Sequence, residues 1–315
     1  MTLSQAKATE GLGEGDGDHG VKRKVLALYY SQSGQLEAIA RSFTKPLAQC
    51  PQIDLRLVAL EPAVPYPFPW PLYRFFDVLP ECVLMEPPAM RPFPFRASET
   101  VDLVLLFYQV WFLSPSLPVT GFLRSQEARV LANTPVITVV NARDKWVMAQ
   151  EQVSRWIHHH GGHLVDHVAV VHPGSALGTL VNTLRWLWTG KKEGFWGFPD
   201  AGVPREEIRA TERFGQAVRD GLLDGRIASL GSVLADLNPA PRDPHLVRQE
   251  KVAYGMFCRW ARWIRKVGAQ GQWRRAPMIA LFVAQLAVVI LLSFPIGFFL
   301  RYFVDPFRKG AVDPR

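Results

Sequence analysis

Ser31, Gln32, Ser33, Gly34 and Gln35 stand together as small or hydrogen-bonding residues, and the chemistry such a run can do is to hold an anion. They follow "VLALYY" (Val25–Tyr30), an apolar and aromatic run of the length of a strand buried on both faces. They precede Leu36, Ile39, Ala40 and Phe43, which recur at helical spacing. The turn therefore lies between the C-terminal end of a strand and the N-terminus of a helix, where free backbone N–H groups and the helix dipole favour negative charge. Phosphate is the anion that suits it best. The Gly-Lys-Ser/Thr ending of a nucleoside-triphosphate loop is missing, as are the spaced glycines of a dinucleotide loop. The ordinary alternative is a Ser-capped helix start.

Other reactive side chains are fewer. The histidines of "HHHGGH" (His158–His163) fall where a helix ends at Gly161–Gly162, and no Cys or carboxylate stands at ligand spacing, so no metal is expected. His172, at the C-terminal end of the fifth expected strand, is the better candidate for proton transfer. Cys50, Cys82 and Cys258 are scattered without metal or CxxC spacing, which implies a reducing compartment and no disulfide framework.

These residues need a scaffold, and the 315-residue chain has apolar content enough for one large domain with additions. Strands are expected near Asp54–Leu60, Val101–Phe107, Pro135–Val140 and His163–Val171 besides the first, alternating with helices near Gly34–Leu47, Ser116–Ser125, Lys145–His160 and Pro204–Leu223. Such alternation implies a parallel sheet with helices on both faces. Two connections exceed ordinary loop length. Glu61–Phe95 is rich in Pro and aromatics, and His172–Val203 is apolar and Trp-rich, the composition of lids or binding surfaces.

The formal charge of +8 is not spread over a nucleic-acid-binding face. It is concentrated between Lys251 and Arg275, where seven cations and Trp260, Trp263 and Trp273 occur without one acidic residue. Met278–Leu300 follows without a charge, and about 23 residues at ~1.5 Å each reach ~34 Å, enough to cross a bilayer. Cations and Trp before an apolar span suit a headgroup surface, and the positive-inside rule leaves the large N-terminal part in the cytoplasm as a single-pass protein of the inner membrane. Arg301, Arg308 and Lys309 beyond the span, with Pro295 inside it, leave open a kinked or re-entrant helix. The expected partition is a disordered leader at 1–20, an α/β domain at 21–235 with insertions at about 61–98 and 172–203, a linker and basic segment at 236–277, the span at 278–303 and a tail at 304–315.

"YYSQSGQLEAIA" resembles the phosphate loop of flavodoxin-like proteins, and "LLFYQVWFLSPSLPVTGFLRS" (Leu105–Ser125) resembles the loop that borders the flavin ring in FMN-dependent NAD(P)H and quinone reductases. In the second stretch Pro118, Gly121, Phe122 and Leu123 match the start of the following helix. The resemblance departs at Leu36, where a hydroxyl residue is usual. It implies a flavodoxin-like doubly wound sheet of five parallel strands in the order 2-1-3-4-5, FMN as cofactor with NAD(P)H as a candidate second one, and ligand binding at the strand C-terminal ends. The phosphate would lie on Ser31, Gln32, Ser33, Gly34 and Gln35, and the ring between Trp111, Phe112 and the loop "NARDKW", with Asn141 and Arg143 at its carbonyl edge.

"YPFPWPLYRFFD", "YQVWFLSPSLP" and "WLWTGKKEGFWGFPDAGV" together look like a bacterial flavodoxin-like family labelled dialkylresorcinol condensing enzyme, which occurs with ketoacyl synthase-like enzymes in aryl-lipid and pigment pathways. A condensing enzyme needs an activated Cys with His or Asn partners. Cys50 sits at a helix end before Pro51, Cys82 in the Pro-rich insertion and Cys258 in the basic segment, so none has that setting. The resemblance therefore implies a redox partner of the condensing step, such as an aromatase acting on an apolar substrate at the membrane, with Arg143 and His172 as catalytic candidates. The competing expectation is a non-catalytic flavodoxin-like scaffold for partner enzymes.

Overall fold

Five apolar strands form one parallel sheet: β1 (Arg23–Tyr29), β2 (Ile53–Ala59), β3 (Leu103–Trp111), β4 (Pro135–Ala142) and β5 (His163–Val171). The computed structural model describes residues 22–240 and 244–299. Spatial order is β2-β1-β3-β4-β5, the expected 2-1-3-4-5 order of the flavodoxin-like doubly wound sheet. The order reverses direction at β1 and β3, and Tyr29 stands opposite Phe107 there. Ligands in such sheets bind beyond the strand C-terminal ends at this reversal.

Strand alternation divides the core into two layers. Leu26, Leu28, Val104, Leu106, Val136 and Val140 face α4 (Leu117–Leu123) and α5 (Val147–His159). Val25, Ala27, Leu103, Leu105, Ile137 and Val139 face α1 (Gln35–Ala48) and a later helix, α8 (Glu212–Leu223). In α1 the apolar stripe Leu36, Ile39, Ala40, Phe43 and Leu47 is buried, so position 36 serves the core. The α1 and α8 backbones approach so closely that a Cβ on Gly215 would collide with the Phe43 carbonyl.

Three elements depart from the expected outline. β3 runs on to Trp111 and folds back through Phe112 and Leu113, at φ 49° and 60°, onto the two-residue antiparallel strand Ser114–Pro115. Bulky residues in left-handed backbone are strained, by about 1–3 kcal/mol each. The helix expected over Pro204–Leu223 is broken at buried Thr211 into α7 (Arg205–Ala210) and α8. The stretch expected as a linker and basic segment holds a 24-residue helix, α9 (Pro244–Val267), docked on the domain.

That docking creates a third apolar cluster. The first insertion supplies α2 (Leu72–Asp77) and α3 (Leu79–Val83). Phe76, Leu79 and Val83 pack there with Phe257, Trp260 and Ile264 of α9 and with Ile279 and Phe282 of α10 (Ala276–Phe299). The elbow between α9 and α10 is held by Arg275, which is fully buried, forms two 3.0 Å hydrogen bonds to the Glu81 carboxylate and lies 3.4 Å from Asp77. Among the described residues one helix is long and apolar enough to span a membrane: Trp273–Leu292 has a mean hydropathy of 2.2 and only 17% of that window is buried. Pro295 lies inside α10. The expected leader at 1–20 and tail at 304–315 lie outside the described residues, as do 300–303 of the expected span.

Candidate functional site

The Ser31–Gln35 turn leads from the C-terminal end of β1 into α1, as the sequence pattern requires. Gly34 is the helix N-cap at φ 80°, a backbone that glycine adopts freely, and the space where a Cβ would stand is open to 4 Å. The helix start carries no side-chain cap, which leaves its first N–H groups without a side-chain acceptor. Ser31 Oγ and Gln35 Nε2 are buried without a hydrogen-bond partner among the described residues. Gln32 has a different task. Its amide donates to Pro67 O at 2.8 Å and accepts from Trp70 Nε1 at 3.0 Å, which ties the first insertion to the turn. The acidic residue of the first turn, Glu37, is paired with Arg41 at 2.8 Å.

The neighbouring strand ends bring further polar groups. Gln109 of β3 stands opposite Asn141 of β4, and Asn141 Nδ2 donates to Val170 O at 3.3 Å. Arg143 pairs with Asp144 at 3.0 Å and reaches Thr179 Oγ1 at 3.4 Å. Thr179 belongs to α6 (Ala176–Thr189), the helix of the second insertion. His172 is anchored through its backbone N–H to Ala142 O and Arg143 O, both at 3.2 Å. Burial, reinforced by the Arg143 and Lys192 cations, lowers its imidazole pKa to about 4. The imidazole is therefore neutral at physiological pH, and the same burial and cations that keep it so make it a weak base.

Sequence reasoning missed several of these groups. Gln109 Nε2, Ser116 Oγ, Asn182 Oδ1 and Thr183 Oγ1 are also buried without a partner among the described residues. The chain links them: Ser116 N donates to Gln109 O at 2.9 Å, and Asn182 Nδ2 donates to Pro199 O in the loop whose Gly202 lies against the Gln35 side chain. A signal was present in the sequence, since Gln109 interrupts the run "LVLLFYQVW" and Asn182-Thr183 interrupts "LVNTLRWLW".

Trp111 and Phe112 part company. The Trp111 ring is buried and met edge-on by Tyr30 at 6.0 Å, Tyr66 at 5.2 Å and Trp70 at 5.6 Å. Phe112 turns away into the third cluster, 4.8 Å from Phe75 and 6.4 Å from Phe257. The two insertions meet above the strand ends: Trp70 N donates to Leu187 O at 2.8 Å, and Phe68 packs on Trp186 at 5.7 Å. An unbroken run of aromatic contacts thus leads from Tyr30, beside the turn, through Trp111, Trp70 and Phe75 to Phe76 and Phe282 of α10.

Cys82 is fully buried, its thiol directed at Trp111 O at 3.2 Å, and burial pushes its pKa well up, the opposite of what an activated nucleophile needs. His158 and His160 bond Ser154 O and Leu123 O, both at 2.7 Å. Among the described residues no group of three or more His, Cys, Asp or Glu is placed to hold a metal ion.

No protein-family model and no curated protein matches the chain. Solved structures similar to it are flavodoxins and flavoproteins. A flavodoxin from the domain Archaea shares 9% identity at a TM-score of 0.36, over 64% of this chain and 99% of its own. A flavoprotein in complex with FMN from Lactobacillus acidophilus shares 16% at 0.37, over 47% of this chain and 93% of its own. A WrbA-like flavodoxin from Agrobacterium tumefaciens shares 9% at 0.34, over 64% and 99%. These likenesses are faint, and the fold assignment rests on strand order and alternation themselves.

Proposed function

We propose that the chain is a membrane-anchored flavodoxin-like oxidoreductase that holds FMN at the C-terminal edge of its sheet. One observation carries this reading: two polar atoms of the β1–α1 turn, Ser31 Oγ and Gln35 Nε2, are buried without a partner among the described residues beside a helix N-terminus with no side-chain cap, and a polar ligand would satisfy them. Ser31, Ser33, Gly34, Gln35 and the α1 N-terminus would hold the phosphate, with Gln32 contributing backbone and support through its bond to Trp70. Gln109 and Asn141 offer amide groups at the next strand ends, and Arg143 offers a cation that stabilises negative charge. FMN, when bound, supplies hydride acceptance or donation at its N5, with NAD(P)H or the organic substrate as the other party. His172, held neutral by burial beside Arg143, is the candidate for hydrogen-bonding a substrate group, its lowered pKa opposing proton uptake at neutral pH, and the two insertions meet over the strand ends.

The substrate class follows from the aromatic run toward α10 and from the resemblance of "YPFPWPLYRFFD" and "WLWTGKKEGFWGFPDAGV" to proteins of aryl-lipid pathways. An apolar, alkyl-bearing cyclic diketone that gives up a hydride and a proton to become aromatic fits both, the two electrons passing through the flavin to an external acceptor such as a quinone or dioxygen, with ketoacyl synthase-like enzymes as suppliers. Under the positive-inside rule the cation-rich flank of α10 supports a reading with the domain in the cytoplasm at the inner membrane. The test is the full chain purified in detergent. Flavin absorbance, or tight quenching of added FMN fluorescence, is expected, and Ser33→Glu should abolish it by setting a carboxylate against the phosphate. Unchanged FMN binding by Ser33→Glu would refute the assignment.

A second reading has its own observation. Tyr30, Tyr66 and Trp70 already surround the Trp111 ring, which favours a scaffold whose ring site is filled by its own side chains. Failure of the unsubstituted chain to bind FMN would select it.

A further inference from the structure

The outer face of α9 carries Arg259, Arg262, Trp263 and Lys266, at the i, i+3, i+4, i+7 spacing of a single helical face. With Arg265, Leu84 and Glu86 these residues line an open groove of about 550 Å³. Four cations face one carboxylate, and that carboxylate is taken by Arg265 at 2.8 Å, so Arg259, Arg262 and Lys266 remain as the groove's uncompensated charge. Nothing in the fold calls for this concentration. The domain side of α9 is satisfied by Phe257, Trp260, Ala261 and Ile264, all buried.

The groove's position supplies the second half of the argument. Trp260, on the same helix turns, touches Phe282 at 5.8 Å and donates to Gln285 Oε1 at 2.7 Å, so the cations stand level with the first turns of α10. Farther along α10, Val288, Leu291 and Leu292 are more than half exposed, as an acyl-facing helix requires. Trp263 is 50% exposed and Trp273, at the elbow, 78% exposed. An exposed apolar stem thus leaves the α9–α10 contact, while Trp263 stands among the cations of the groove and Trp273 at the elbow, the mixture suited to acyl chains on one side and a phosphate headgroup on the other.

We infer that this groove binds the phosphate-bearing headgroup of an anionic phospholipid, the acyl chains lying along α10. The inference rests on α10 lying in a bilayer. It does not depend on FMN, since the groove stands apart from the turn at Ser31. Bound lipid would fix the depth and tilt of the domain, and with it the mouth of the aromatic run between insertions and α10.

The experiment uses the full chain in a neutral detergent and measures binding of water-soluble dihexanoyl phosphatidylglycerol, dihexanoyl phosphatidylcholine and inorganic phosphate. Phosphatidylglycerol should bind at least tenfold more tightly than phosphatidylcholine and weaken as salt is raised. Arg259→Gln/Arg262→Gln/Lys266→Gln should remove that preference, while thermal stability holds because all three side chains are exposed and the Arg265–Glu86 pair is kept. Equal binding of the two lipids, or an unchanged preference in the triple variant, would overturn the inference. Inorganic phosphate competing on equal terms with phosphatidylglycerol would also overturn it, by showing a site for free phosphate. Because binding is read in detergent, these outcomes are separate from failure of the anchor reading, which carbonate extraction of the full chain from membranes reports.

Discussion

At the scale of single residues, burial decides which charged groups do what their sequence position suggests. Arg275 closes a run of cations that reads as a headgroup-facing flank, yet it is fully buried against Glu81 and Asp77, 194 and 198 positions earlier. Spacing along a chain cannot tell a cation facing lipid from one folded under a distant helix. Burial raises the Glu81 pKa against the pull of Arg275, so the pair holds charge at a desolvation cost. Arg275→Met leaves buried carboxylates without a cation and should cost about 3–5 kcal/mol at neutral pH, an effect that shrinks in acid as Glu81, its pKa raised by burial, takes up a proton. Denaturant unfolding in mild detergent at two pH values measures both parts, and a cost below ~1 kcal/mol at neutral pH would contradict the buried pair. His172 gives the other titration. Its folded pKa of about 4 lies below the ordinary 6.5, so in between the unfolded chain binds a proton that the native one does not. The contribution is full above pH 6.5 and is lost as pH falls toward 4, with a slope of up to ~1.4 kcal/mol per unit. His172→Asn should flatten stability over that window. An identical slope in both proteins would show that His172 is not buried as neutral imidazole.

At the scale of elements, strands and crossover helices were legible because their apolar runs and 3.6-residue stripes are local. β5 is found over His163–Val171, where the sequence places it, and α1 and α5 begin and end within two residues of expectation. Contacts supplied from far away were not legible. The N-cap of α5, Trp146, makes no side-chain cap bond, and the missing acceptor comes from α9: the buried Glu250 carboxylate accepts from Met148 N at 2.7 Å and Val147 N at 3.2 Å. This placement also joins a negative charge to the positive end of the α5 dipole. Glu250→Ala should cost about 1–2 kcal/mol and speed hydrogen exchange in the first turn of α5, with α1 unaffected. Uniform acceleration in both helices would mean global loosening rather than loss of a cap. The candidate site shows the same division. The turn from β1 into α1 was readable from its own five residues, whereas the buried, unpartnered atoms of Asn182 and Thr183 belong to the helix of the second insertion, whose placement depends on contacts far along the chain.

At the scale of the whole molecule, the third cluster makes α9 and α10 parts of one assembly with the first insertion. Phe282 is 1% and Ile279 3% exposed, both against α2, α3 and α9. Each such side chain contributes about 1.5–3 kcal/mol through burial, so the start of α10 stabilises the insertion as well as tethering the chain. Two truncations separate these roles. A chain ending at Val267 keeps the Glu250 cap and the α9 packing but loses Arg275, Ile279, Phe282 and the apolar stem. It should become carbonate-extractable while melting at a lower temperature and self-associating through the uncovered faces of Phe76 and Trp260. A chain ending at residue 240 also loses the cap of α5 and the cover over Leu79 and Val83, and should be less stable still. The expected order of melting temperature is full chain, then 267, then 240, read by intrinsic Trp fluorescence in one detergent. Carbonate resistance in the 267 form would show that something other than α10 holds the protein to the membrane, and equal melting of the two truncations would show that α9 is a linker after all.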